Sequence, residues 1–123
     1  MKYTEVRLGG AVQLRHLFLF FIFLEIGMLE NKFKTKLIKE IKQRFPGCLV
    51  VHLDPNEIQG IPDLLILFND KWAALEGKKN ASASHRPNQD YYVAMMDRMS
   101  FARFIFPENA QEVMNDLERT FKT

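Results

Sequence analysis

Gly60-Ile61-Pro62-Asp63-Leu64-Leu65-Ile66-Leu67-Phe68-Asn69-Asp70-Lys71-Trp72-Ala73-Ala74-Leu75-Glu76-Gly77-Lys78 reads as two short strands joined by a polar turn. If Asn69-Asp70 forms a two-residue turn, Phe68 stands opposite Lys71 and Leu67 opposite Trp72. The same register carried down the ladder sets Asp63 opposite Glu76. Side chains directly opposed in an antiparallel pair have Cβ atoms roughly 4.5–5.5 Å apart, so two carboxylates placed there repel. A divalent cation relieves that repulsion, and the pattern therefore points to a metal site. Because side chains alternate along a strand, Lys78 shares a face with Glu76, next to the cation and to any phosphate bound there. Any symmetric loop keeps this register, whereas a three-residue loop would break it.

Upstream of the hairpin, Leu29, Phe33, Leu37, Ile41 and Phe45 recur every four residues, which predicts an amphipathic helix over 29–45 stopped by Pro46-Gly47. Glu30 falls within the apolar arc of that helix. It has a natural partner in Lys34, one turn on. Cys48 to Leu53 reads as a short apolar strand, and Asp54-Pro55-Asn56-Glu57 as a turn. Downstream, Lys79 to His85 is a small, polar loop beside the site. Arg86-Pro87 opens a helix with Gln89, Tyr92, Val93, Met96 and Met99 or Ser100 on one face. Phe101 to Phe106 is a strand ended by Pro107, and Glu108 to Phe121 a last helix with Val113, Leu117 and Phe121 inward. The order is α-β-β-β-α-β-α, an α/β domain with helices flanking a small mixed sheet.

A chain of 123 residues, 47% hydrophobic and 26% charged, has the composition of one globular domain. A net charge of +2 leaves nucleic-acid binding to local basic clusters rather than to an overall field. The single cysteine, Cys48, excludes an internal disulfide and suits a reducing compartment. Residues 1–27 differ from the rest. Their apolar run, Leu17 to Leu24, is far shorter than the ~20 residues of a membrane span, and no small-x-small cleavage site follows it. They read as an N-terminal extension ahead of a domain at 28–123, and no stable membrane association is expected. An apolar segment of this kind promotes self-association.

Gly60-Ile61-Pro62-Asp63, Glu76-Gly77-Lys78 and Arg86-Pro87-Asn88-Gln89, preceded by a helical Glu30, together resemble the PD-(D/E)xK nuclease superfamily. The nearer likeness is to its virus-type replication and repair (VRR-NUC) branch, related to Holliday-junction resolvases. It covers nearly all of the chain from Met28 onward. The resemblance implies a restriction-endonuclease-like core and a Mg²⁺ ion, with Mn²⁺ as a substitute. Asp63, Glu76 and the backbone carbonyl of Gly77 would hold the metal, with Glu30 as an outer or second-metal ligand. Lys78 would orient the attacking water, and Gln89 would support the site or Lys78. The family places an apolar β-branched residue where this chain has Gly77. That substitution weakens the strand and leaves its back face unfilled, or lets another backbone approach.

The expected activity is Mg²⁺-dependent hydrolysis of DNA phosphodiesters, on branched or flapped DNA, by a homodimer in the cytoplasm of a bacterium or phage-infected host. The alternative is a catalytically inactive nuclease-like module that binds nucleic acid or a partner. Lys34, Lys79, His85 and Arg86 are candidate contacts to DNA backbone, although as solvated residues they need no function. His52 reads as a strand residue, Tyr91, Tyr92 and Trp72 as packing residues, and Glu57 as a reserve ligand.

Overall fold

The computed structural model describes residues 11–123, and among them the side chains of 17–22 and 28–123. The elements are α1 (Ala11–Arg44), β1 (Leu49–His52), β2 (Leu64–Phe68), β3 (Lys71–Gly77), α2 (Gln89–Met99), β4 (Ala102–Ile105) and α3 (Ala110–Phe121). The four strands form one sheet in the order β1-β2-β3-β4. Its first two pairings are antiparallel and the third, across the α2 crossover, is parallel. The chain is thus a mixed α/β domain in the expected element order.

The hairpin has the register that the two-residue turn dictates, with Phe68 paired to Lys71 and Leu64 to Leu75. Asn69 carries the turn at φ 55, a left-handed conformation that asparagine tolerates better than most residues. Alternation along the strands then divides the core in two. Leu64, Ile66, Ala73 and Leu75 face Leu37 and Ile41 of α1 and Met114 and Leu117 of α3. Phe45, Phe68 and Phe121 close that layer, with ring centroids 5.1–5.6 Å apart. Each fully buried Leu, Ile or Phe stabilises by about 1.5–3 kcal/mol, so this layer carries most of the apolar burial. On the opposite face, Ala74 and Ala102 pack under Val93 of α2, flanked by Trp72, Met96 and Phe104. β3 lies between the two layers, which is why Ala73 to Gly77 are all buried.

Three helix starts differ from the sequence reading. α1 starts by Ala11, not Leu29, and runs unbroken through the apolar segment. Nothing in 11–28 breaks a helix except Gly27, which costs about 1 kcal/mol and is tolerated. Of the expected 1–27 extension, residues 1–10 lie outside the described residues. α2 starts at Gln89 rather than at Arg86-Pro87, because Asn88 has φ 69 and cannot be helical. Its last apolar residue, Met99, is exposed. α3 starts at Ala110, two residues late, since Asn109 Oδ1 accepts a hydrogen bond from Phe106 N and holds the chain in a turn. Among the described residues, no helix is long and apolar enough to cross a membrane.

Candidate functional site

Asp63 lies one residue ahead of β2, its carbonyl accepting a hydrogen bond from Leu53 N at 2.9 Å. One step beyond the Leu64–Leu75 pair, its partner across the hairpin is Glu76, which is only 3% exposed. Burial, then the charge of Asp63 and then hydrogen bonding toward the Asp63 side chain push the Glu76 carboxyl up to about 8, against the opposing pull of Lys78 and Lys34. A buried carboxyl facing a second carboxylate resists ionising, and the proton that Glu76 keeps does what a cation would do. Glu76 Oε1 is buried and accepts no hydrogen bond. Asp63 Oδ2 is equally buried, and the Lys34 ammonium stands 2.6 Å from it, at ion-pair distance but off the angle of a hydrogen bond.

Lys78 follows Glu76 by two residues on the same face and is 5% exposed. Its backbone N–H donates to Ile105 O at 2.8 Å, so the parallel pairing with β4 fixes its Cα beyond the end of β3. Its Nζ donates to Gln89 Oε1 at 2.7 Å and to Ser84 O at 3.2 Å. Gln89 Oε1 also accepts from Arg86 N at 2.8 Å, so one buried amide oxygen ties the loop after β3 and the first residue of α2 to the Lys78 ammonium. An ammonium has three donors. Among the described residues the third has no hydrogen-bond acceptor, which leaves it for a phosphate oxygen or a water.

Lys34 reaches the site from α1, on the opposite side of β3 from Glu76. A Cβ at Gly77 would lie 3.1 Å from both Cγ and Cε of Lys34. The space above Gly77 is therefore taken by a lysine stem and not by a second backbone, which corrects the expectation of an unfilled back face. Glu30 approaches Lys34 Nζ at 4.0 Å. It is linked to the carboxylate pair only through that lysine.

Asp63 is the shared wall of two clefts. One, of about 310 Å³, is lined by Asn31, Lys34, His52 and Leu53. The other, of about 240 Å³, is lined by Asn56, Gln59, Gly60, Arg86 and Gln89. Arg86 is exposed at the mouth of the second cleft. His85 sits next to it, stacked on Phe104 at 4.1 Å with Nδ1 2.6 Å from Asp90 Oδ1. Lys79 is half-buried, and Glu57 is exposed in its turn. Tyr91 is 60% exposed, so packing does not account for it, whereas Trp72 joins the α2 layer. Burial pushes the Cys48 thiol up, away from reactivity.

Among the described residues, no three His, Cys, Asp or Glu side chains stand together as a metal-holding group. The donor set is a pair of hard carboxylates, each with a buried oxygen that has no hydrogen-bond partner. That fits an ion such as Mg²⁺, which binds through one or two carboxylates and keeps the rest of its shell for water and phosphate oxygens. Comparison with family models, with curated proteins and with solved structures finds no match for the chain.

Proposed function

We propose that this chain is a Mg²⁺-dependent nuclease of the PD-(D/E)xK type that hydrolyses DNA phosphodiesters. The observation that carries the reading is the opposition of Asp63 and Glu76 across a tight hairpin, with the Lys78 ammonium held on the same face by Gln89. The order of helix, antiparallel strands, crossover helix and parallel strand supports reading the domain as a restriction-endonuclease-like core.

Asp63 and Glu76 would hold the ion, with the Gly77 carbonyl as a further oxygen donor. When bound, the ion polarises a phosphate oxygen and lowers the pKa of a bound water. To hold the ion, Glu76 would release its proton to solvent. Lys78 orients the attacking water or the scissile phosphate through its remaining N–H, its other two donors being fixed. Arg86 and Lys79 contact the DNA backbone from the loop that bounds the 240 Å³ cleft. These phosphate contacts set affinity and its salt dependence and read no sequence. A homodimer would bring two sites to two strands, since one small domain offers little surface for a branched substrate. Such a protein works in the cytoplasm of a bacterium or phage-infected cell.

The test is incubation of the full chain with plasmid and branched DNA, with and without MgCl₂. Cleavage that requires Mg²⁺ and is lost in Lys78→Ala, with DNA binding retained, is the expected result. The contact of Lys34 with Asp63 favours one second reading, a module in which lysine permanently replaces the ion and catalysis is absent. Tight binding of DNA by clean protein with no cleavage at any Mg²⁺ concentration would establish that reading instead.

A further inference from the structure

We propose that the Lys34 ammonium is a displaceable internal counter-ion of Asp63, and that a divalent cation loads by moving it across to Glu30. The inference rests on the metal-dependent reading above. It gives Lys34 and Glu30 a joint role in setting cation affinity, as positioning residues that themselves need touch neither ion nor substrate.

Three observations support it. The ammonium stands 2.6 Å from Asp63 Oδ2, a buried oxygen with no hydrogen-bond partner. Its second carboxylate neighbour, Glu30 Oε1, is 4.0 Å away on the same helix. Lys34 therefore has a place to go without leaving a charge unpaired, and the 310 Å³ cleft that Lys34 and Asp63 both line gives an ion room to reach Asp63. Finally, the absence of a side chain at Gly77 is what lets the Lys34 stem lie across β3, since a Cβ there would press on Cγ and Cε at 3.1 Å. The other lysines of this stretch, Lys32, Lys36, Lys39 and Lys42, are all exposed, whereas Lys34 is partly buried.

The two residues act with opposite sign. Removing the Lys34 charge frees Asp63 for the ion and tightens binding. Removing the Glu30 charge takes away the place to which Lys34 retreats and weakens binding. Calorimetric titration of the full chain with MgCl₂, repeated with MnCl₂, reads both effects without reference to cleavage. Lys34→Met, which keeps the stem over Gly77, is expected to lower Kd about five- to tenfold, the worth of a partly exposed ion pair. Glu30→Gln is expected to raise Kd a few-fold in the wild-type background and to leave it unchanged when combined with Lys34→Met. A helix-surface salt bridge with no part in loading would not produce that dependence on Lys34.

If the wild-type chain binds the ion and Lys34→Met binds it equally or more weakly, the counter-ion role is overturned and the metal site stands. If neither binds, and Asp63→Asn gives the same blank titration, the metal reading itself falls and takes the inference with it. Should Lys34→Met fail to fold, Glu30→Gln decides alone, because it leaves the Gly77 contact intact. An unchanged Kd in that variant overturns the proposal.

Discussion

The Lys78 ammonium is nearly buried, and its cost is offset by two acceptors, Gln89 Oε1 and Ser84 O. Gln89→Ala leaves a charged donor short of one of them, a loss of about 1.5–3 kcal/mol. Urea unfolding should show that drop, and Lys78→Met in the same background should recover part of it. Glu76 makes a prediction of a different kind. Its carboxyl lies far above its unfolded value near 4.5, so the metal-free folded state binds an extra proton between pH 4.5 and about 8. The associated stability is fully present below pH 4.5 and is lost as pH rises through 8, at up to about 1.4 kcal/mol per unit. Glu76→Gln removes that slope, which unfolding midpoints measured in chelator from pH 4 to 9 will show. Saturating Mg²⁺ should offset the loss at the alkaline end. The carboxylate pair and Lys78 were legible in the sequence because strand alternation and a two-residue turn fix which side chains meet, whereas Gln89 entered only through the family resemblance. The contact of Lys34 with Asp63 was not, since helical periodicity gives a direction from the axis and not the strand that lies beneath. The Ser84 acceptor is a backbone carbonyl, and any residue type supplies one.

At the scale of elements, the entry to the hairpin is tied to the start of α2 by a close approach of backbone. Gly60 has φ 92, and a Cβ there would sit 2.6 Å from the carbonyl carbon of Asn88. Asn88 is itself left-handed at φ 69, immediately before Gln89. Two left-handed residues thus set the distance between the hairpin entry bearing Asp63 and the helix bearing Gln89. Gly60→Ala should destabilise by about 1–3 kcal/mol and weaken cation binding together, because the clash moves Gln89 and with it Lys78. An unchanged unfolding midpoint would mean that the loops yield independently of the site. The element order and the hairpin register were readable for local reasons, namely apolar period, breakers and a short turn. The ends of helices were less so. Arg86-Pro87 has the look of a first turn, yet the packing of Gly60 against Asn88 holds the chain out of the helix until Gln89.

At the scale of the molecule, α1 is about 50 Å long, at 1.5 Å per residue, while among its described side chains the fully buried ones are Leu37 and Ile41, near its C-terminal end. Phe33 and Ile38 extend that contact. Further back the helix carries Phe18 at 66%, Leu19 at 55%, Phe20 at 45% and Ile22 at 37% exposure, with no apolar layer of the sheet beneath them. Burying such side chains is worth well over 1 kcal/mol each, so the full chain should self-associate through this end as concentration rises. Among the described residues the two core layers draw nothing from positions before Phe33, and the 28–123 chain should therefore unfold cooperatively with a midpoint close to that of the full chain. Sedimentation velocity over a concentration series separates the two consequences. The full chain should shift to larger species while the shortened one holds a constant mass, and a dimer persisting in the shortened chain would place the interface on the domain itself. The exposed Leu49, Val51 and Leu67 on the β1–β2 half of the sheet would then be the surface to substitute with polar residues.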